Sequence, residues 1–372
     1  MAKNVGLLLL VAGTVIAGCL NSIITKYQDN QCIENCDKPG QEVLFEQPVL
    51  QTLQMFVGEI LCWIPVFIGR ARKGSADVAE QAPLLGKRRI TTARESFVLS
   101  LPAICDFTAT TLLNVGLLYT PVSIYQMTRG SVILFVGLFS VIALHKTITK
   151  LEWLSLFVVV FGVFIVGLSG SIESGEESIE VEQGNVVFGM LIIVLGIMCN
   201  AAQFVIEESI LANLEVSPLK LVGYEGIYGA LTTTVFMLFG QTFMHKSSKD
   251  AWDMVYALQL MFTHSRVLLS SLLIMLCISS FNFFGISLTH KLNATARSTI
   301  DTSRTLLVWL VSLSIGWEQF RALQLVGFSL LLYGTLVFNG VIELEKSRFV
   351  PQWLKQRSKD PLITIDEPIE RF

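Results

Sequence analysis

Three charged side chains lie in the first half of an otherwise apolar stretch, residues 293–315. They are Arg297, Asp301 and Arg304, spaced four and three residues apart, so a helix would carry all three on one face. An Arg or Asp at the centre of a membrane helix costs roughly 2.5–3.5 kcal/mol on insertion scales. Three of them on one face indicate a polar partner or a water-filled cavity rather than lipid, which is typical of a carrier.

A second arginine has a similar setting in the first half of the chain. The segment MTRGSVILFVGLF around Arg129 and the segment TSRTLLVWLVSL around Arg304 correspond at an offset of 175 residues (304 minus 129), which Ser123 and Ser298 share. We interpret the match as an internal repeat, the alternative being chance similarity between apolar helices. A guanidinium suits bidentate recognition of a carboxylate or phosphate, so we expect both arginines to favour an anionic or zwitterionic solute.

The candidate site consists of polar residues inside the predicted spans. The solute-binding candidates are Arg129, Arg304, Gln126, Ser123, Asp301, Arg297, Ser298 and Asn282. Glu59 and Asp106 are candidates for proton coupling or for counter-charges. The alternative is that the arginines pair with Asp106, Glu59 or Asp301 only to lock helices together, since charges inside membranes commonly pair.

Membrane helices are the elements that must position these residues. Of the 372 residues, 52% are hydrophobic and 15% are charged, against about a quarter charged in soluble domains. The net charge of −3 gives no reason to expect a nucleic-acid partner. The sequence has no P-loop, no G-x-G-x-x-G, no G-x-S-x-G and no metal-ligand cluster. No enzyme, cofactor or metal centre is therefore predicted.

Ten apolar segments are long enough to span a bilayer. They run approximately over 5–26, 48–69, 96–118, 121–144, 152–170, 186–211, 220–243, 266–290, 293–315 and 320–341. The predicted fold is an all-α polytopic membrane protein with five helices in each repeat, 1–170 and 186–341, followed by a tail, 342–372. An odd number of spans inverts the second repeat, and such inverted repeats usually place the substrate near the midplane.

Basic residues in the loops predict the orientation. Loop 70–95 carries seven Lys and Arg residues, loop 145–151 carries two and the tail carries six, whereas loop 171–185 has five Glu and no basic residue. The positive-inside rule then places both termini in the cytoplasm. The sequon at Asn293 falls on the cytoplasmic side, so we expect no glycan there.

Several loop and helix-end residues carry further predictions. The segment AWDMVYALQLMF in loop 244–265 is expected to form an amphipathic helix at the interface. Glu207 and Glu208 fall near the cytoplasmic end of the sixth segment and are also expected at the interface. The fifth and tenth segments are apolar all round, so we expect their glycines to serve helix packing and a possible homodimer contact. These glycines are Gly162, Gly167, Gly327 and Gly334.

Two polar loops contain short motifs. Cys32 and Cys36 lie in a loop predicted to face the lumen, where a disulfide is expected; a reduced pair or a bridge to another chain are the alternatives. Loop 70–95 contains Glu80, Leu84 and Leu85 in the order EQAPLL. This order resembles the acidic dileucine signal that endolysosomal sorting adaptors bind.

The two arginine-bearing blocks also resemble a known family. CDFTATTLLNVGLLYTPVSIYQMTRG and SFNFFGISLTHKLNATARSTIDTSRT are similar to spans of the drug/metabolite transporter superfamily, and within it to the F subfamily of solute carrier family 35, the nucleotide-sugar-transporter-like group. The resemblance covers most of residues 1–341. It implies ten helices in two inverted repeats, a central cavity and alternating access, but no particular solute. With the dileucine-like motif it favours a lysosomal or late-endosomal membrane, with the Golgi as the alternative.

The sequence therefore predicts a secondary active transporter or exchanger of a small anionic or zwitterionic organic solute. The alternative is a non-transporting membrane interaction or scaffold protein on a transporter fold. A scaffold would have little use for Arg129 and Arg304, because buried ion pairs contribute little net stability.

Overall fold

A computed structural model describes most of the apolar segments of the chain. The described residues are 2–34, 36, 43–45, 47–72, 97–120, 122–146, 148–173, 183–244, 253–316, 322–340 and 342. The dileucine-like residues Glu80, Leu84 and Leu85 lie outside the described residues, as does the tail beyond residue 342.

Helices make up nearly all of the described chain. They are α1 Ala2–Asp29, α2 Pro48–Ile60, α3 Trp63–Arg72, α4 Ser100–Tyr119, α5 Val122–Arg129, α6 Val132–Leu144, α7 Lys150–Glu173, α8 Gln183–Asn213, α9 Pro218–Phe239, α10 Met254–Thr263, α11 Ser265–Lys291, α12 Ala294–Ile315 and α13 Ala322–Phe338, with a π-helical turn at Gly240–Met244. An antiparallel pair of short strands, β1 Cys32–Glu34 and β2 Val43–Leu44, lies between α1 and α2.

Five stretches of the described helices are long and apolar enough to cross a membrane. They are Gly6–Asp29, Pro48–Ile68, Met127–Leu144, Val187–Asn213 and Ser265–Lys291. Each exceeds the roughly 17 residues that a bilayer core requires. The expected class, an all-α membrane protein, is confirmed at this level.

Two predicted segments are each divided between two helices. The second divides at Leu61, because Pro65 in the following turn has no N–H to donate to the Leu61 carbonyl. The fourth divides at Gly130 and Ser131, whose N–H groups donate to the carbonyls of Met127 and Thr128 at 3.0 Å. These i→i+3 bonds form a tighter turn than the α-helix does, so Arg129 becomes the last residue of α5.

The chain forms two compact units. The first unit comprises Met1–Val11, Thr108–Ala212 and Leu288–Phe372, and the second comprises Ala12–Phe107 and Asn213–Ser287. Each unit draws on segments from both predicted repeats.

Helices α7 and α13 form the most extensive helix pair of the first unit. A methyl group added at Gly162 would lie 2.7 Å from the Gly327 carbonyl oxygen, and one at Gly334 would lie 2.8 Å from the Ser155 carbonyl oxygen. Backbones can approach this closely only where side chains are absent, which is a common use of glycine in membrane helices. The expected role in helix packing is confirmed for Gly162, Gly327 and Gly334.

In the second unit, α2 packs against α9, and the strand pair and α10 join one end of them. Phe45, Leu50 and Met254 belong to the apolar cluster at this end. Helix α10 is the helix that the sequence predicted in loop 244–265, and its N-cap Asp253 accepts a hydrogen bond from the Tyr256 N–H at 3.0 Å. The strand pair was not predicted. The structure joins Cys32 to Cys36 as a disulfide, with 5.8 Å between their Cα atoms.

Candidate functional site

Helix α12 carries a buried polar face over its first half. The Asn293 side chain caps the helix by accepting a hydrogen bond from the Ala296 N–H at 2.7 Å. The hydroxyls of Ser298, Thr299 and Thr302 donate to carbonyls three or four residues earlier, at 2.8–3.0 Å. These bonds satisfy the hydroxyls within the helix, so a segment rich in Ser and Thr remains helical away from water.

Asp301 and Arg304 form an ion pair one turn apart on α12. Arg304 Nε donates to Asp301 Oδ1 at 2.7 Å, and both side chains are buried. The spacing of three residues, visible in the sequence, is what brings the two groups together.

Arg297 has its ion pair on another helix. It donates to the carboxylate of Glu207 on α8, with 2% of the Arg297 side chain and none of the Glu207 side chain exposed. The Phe204 ring covers the guanidinium, with 4.1 Å from the guanidinium carbon to the ring centroid, a cation–π contact. The Glu207 carboxylate can be buried inside the protein because Arg297 supplies its charge partner.

The neighbouring Glu208 joins three helix ends. One carboxylate oxygen accepts from Lys146 Nζ at 2.5 Å, and the other accepts from the Ala294 N–H at 3.0 Å. The Lys146 and Glu208 side chains are both partly exposed. Glu207 and Glu208 together hold the first turns of α12 against α8.

Arg129 lies at the contact between the two arginine-bearing blocks. Thr302 on α12 donates to the Gly130 carbonyl at 3.1 Å. Arg129 is half-buried, whereas the other two arginines are almost fully buried. The Arg129 guanidinium carbon lies 5.7 Å from the centroid of the Tyr125 ring.

The other predicted site residues lie elsewhere. Ser123 and Gln126 belong to α5, but their side chains lie outside the described part of the chain. In the second unit, fully buried Glu59 accepts from Asn282 Nδ2 at 2.5 Å. Asp106 on α4 is half-buried.

Glu225 lies in the first half of α9 among Gly223, Gly226 and Gly229. It is buried on α9 beside Gly226, and a methyl group added at Gly226 would lie 2.8 Å from Glu59 Cβ. Within the part of the chain that the structure describes, no group of three or more His, Cys, Asp or Glu side chains could hold a metal ion.

Comparison with known proteins identifies the family. Residues 44–241, more than half of the chain, match the nucleotide-sugar transporter family. The chain belongs to this family. Solute carrier family 35 member F6 of Homo sapiens is 32% identical to this family member over 342 residues, covering 90% of this chain and 89% of the human protein. The resemblance to the F subfamily predicted from the sequence is confirmed.

One further relative and one solved structure extend the comparison. An uncharacterized protein of Schizosaccharomyces pombe is 36% identical over 331 residues, covering 88% of this chain and 95% of the yeast protein. A solved crystal structure superposes with a TM-score of 0.56 at 10% identity, covering 92% of this chain and 99% of that chain. At that identity the superposition shows similarity of fold alone.

Proposed function

We propose that this family member is a secondary active transporter or exchanger. It carries a small anionic or zwitterionic organic solute across an endomembrane by alternating access. The observation that carries this proposal is that the Thr302–Gly130 hydrogen bond joins the two arginine-bearing blocks, with the Asp301–Arg304 ion pair buried and Arg129 half-buried. Arg129 is more exposed than Arg297 and Arg304, so it is the guanidinium that a solute reaches first.

A solute anion would alter the pairing of charges among Arg129, Asp301 and Arg304. Its carboxylate or phosphate pairs with Arg129 and competes with Asp301 for Arg304, since a guanidinium away from water gains from a bidentate acid partner. The amino group of a zwitterion would take the place that Arg304 leaves at Asp301. Binding therefore rearranges an existing ion pair, and such a rearrangement can favour one conformation over another.

The architecture behind this function is ten transmembrane helices in two inverted five-helix repeats, 1–170 and 186–341. The 175-residue offset between Arg129 and Arg304 supports it, and so does the Thr302–Gly130 hydrogen bond that joins the two blocks. Repeats of this kind build solute sites from corresponding segments of both halves.

Glu59 and Asp106 are the proposed coupling or counter-charge groups. Glu59 is fully buried and accepts a hydrogen bond from the neutral amide of Asn282, a setting in which a change of protonation alters the local energy strongly. Coupling to protons would make uptake depend on a pH gradient.

We place the transporter in the lysosomal or late-endosomal membrane, with the Golgi as the alternative and with both termini in the cytoplasm. The acidic dileucine-like motif of loop 70–95 supports this address and would bind sorting adaptors. A homodimer would use α7, on which Phe157, Phe161 and Phe164 are exposed along one stripe.

Uptake of a panel of organic anions, zwitterions and cations into proteoliposomes, with and without a pH gradient, tests the function. We expect uptake of anions or zwitterions by the native protein and its loss in Arg129→Gln. Lys146→Gln is the matched control, because it removes a positive charge other than Arg129, Arg297 and Arg304. This variant should retain uptake.

Full uptake by Arg129→Gln would contradict the assignment of the site. Uptake that is indifferent to the pH gradient would remove proton coupling. No uptake of any solute by a folded native protein would favour the scaffold alternative.

A further inference from the structure

Positive and negative side chains alternate from α8 along α12. Glu207 holds Arg297, and Asp301 and Arg304 follow four and seven residues after Arg297. Asp301 lies one turn from an arginine on each side. Its Oδ1 accepts the hydrogen bond that Arg304 Nε donates at 2.7 Å.

The buried guanidinium of Arg297 requires a carboxylate beside it. A guanidinium does not lose its proton in proteins, so a buried arginine cannot become neutral as a buried carboxylic acid can. Glu207 supplies that acid, and the Phe204 ring covers the face of the guanidinium. With Glu207 in place, Arg297 has no need of Asp301, and Asp301 remains with Arg304.

We infer that Glu207 is a positioning residue that determines which arginine Asp301 neutralises. It thereby sets the positive charge that a solute meets at Arg129 and Arg304. The inference rests on the proposed function in so far as these two arginines bind the solute. It assigns to Glu207 a role in charge selectivity, although Glu207 itself does not touch the solute.

Loss of Glu207 has a definite consequence under this inference. Arg297 turns to Asp301, the nearest acid on its own helix face, and Arg304 is released. The solute site gains positive charge, so its preference shifts toward solutes with more negative charge. Removing Arg297 as well takes away the competing cation and returns Asp301 to Arg304.

Chemical modification of arginine tests this directly in the full-length purified protein. Phenylglyoxal is the probe, and peptide mass spectrometry gives the rate at Arg304 relative to Arg129 in the same sample. In Glu207→Gln we expect Arg304 to react about tenfold faster than in the native protein, because a broken buried ion pair shifts a local opening equilibrium by an order of magnitude or more. In the double variant Glu207→Gln/Arg297→Gln the rate should return to the native value.

Glu208→Gln is the matched control. It neutralises the adjacent glutamate, which contacts Lys146 and the Ala294 N–H and makes no ion pair with Arg297 in the described residues. Arg304 should stay protected in this variant. A native rate at Arg304 in Glu207→Gln, or a fast rate that persists in the double variant, would overturn the inference in favour of a purely structural ion pair.

Glu207→Asp is the second variant that tests the role of Glu207, for use if Glu207→Gln does not purify as a monodisperse protein. The shorter side chain keeps the charge but draws it away from Arg297, so Arg304 should react at a rate above the native one. A native rate at Arg304 in folded Glu207→Asp would contradict the inference.

The rate at which phenylglyoxal modifies Arg304 does not depend on transport, so this result is separate from that of the uptake panel. If the panel finds a transported anion, the ratio of uptake for dianions over monoanions should rise in Glu207→Gln and return to native in the double variant. If no solute is transported, the proposed function fails, while the rates at Arg304 still decide the role of Glu207.

Discussion

The three arginines have different surroundings, so substituting each one separates binding from stability. Arg297→Gln leaves the Glu207 carboxylate buried without its partner, and breaking a buried pair costs about 3–5 kcal/mol. We expect a loss of about 3 kcal/mol, at the lower end of this range, because a carboxyl group, unlike a guanidinium, can become neutral by taking up a proton. Half-buried Arg129→Gln should lose about 1 kcal/mol or less. Chemical unfolding in detergent, followed by tryptophan fluorescence, measures both losses.

Glu207→Gln/Arg297→Gln supplies the control for this comparison. Two neutral side chains leave no uncompensated buried charge, so the double variant should recover most of the free energy of unfolding that Arg297→Gln loses. Equal losses in Arg297→Gln and Arg129→Gln would contradict the distinction between the two arginines.

At the level of helices, the α7–α13 contact depends on the absence of side chains. Gly162→Ala would bring a methyl group to 2.7 Å from the Gly327 carbonyl oxygen, an atom of a rigid backbone. We expect the free energy of unfolding to fall by about 1–3 kcal/mol, the usual cost of overpacking. The measurement is the same chemical unfolding.

Gly6→Ala is the matched control on α1. A methyl group there would meet nothing nearer than Lys291 Nζ at 4.0 Å, and alanine favours the helix by about 1 kcal/mol over glycine. This variant should be neutral or slightly more stable. A Gly162→Ala protein as stable as Gly6→Ala would show that α7 and α13 can separate at little cost.

At the level of the whole molecule, glycosylation tests the orientation. Asn293 is the sequon asparagine, and its side chain is buried and caps α12 by accepting from the Ala296 N–H. Protein expressed in eukaryotic cells should therefore show no mass shift on treatment with an N-glycosidase. Glu176→Asn creates a sequon with Ser178 in loop 171–185, which we predict to be luminal, and should add one removable glycan.

A native protein that carries glycan at Asn293 would place this loop in the lumen and reverse the orientation. A Glu176→Asn protein that stays unmodified, while a further sequon placed in loop 70–95 is used, would do the same.

The charged face of α12 and the family could be predicted from the sequence because both depend on residues that lie close together along the chain. The spacing of Arg297, Asp301 and Arg304 fixes one helix face, and the i, i+3 spacing alone brings Asp301 and Arg304 together. Apolar length predicted the membrane class, and the helix within loop 244–265 followed from its own amphipathic pattern.

The partners of charges on different helices could not be predicted in this way. Glu207 precedes Arg297 by 90 residues and Glu59 precedes Asn282 by 223, and which faces of two helices meet depends on how the helices rotate and pack. Sequence periodicity places a residue on a face but does not say which other helix covers it. For this reason the sequence did not show that packing of α8 on α12 buries Glu207 against Arg297 and leaves Asp301 paired with Arg304.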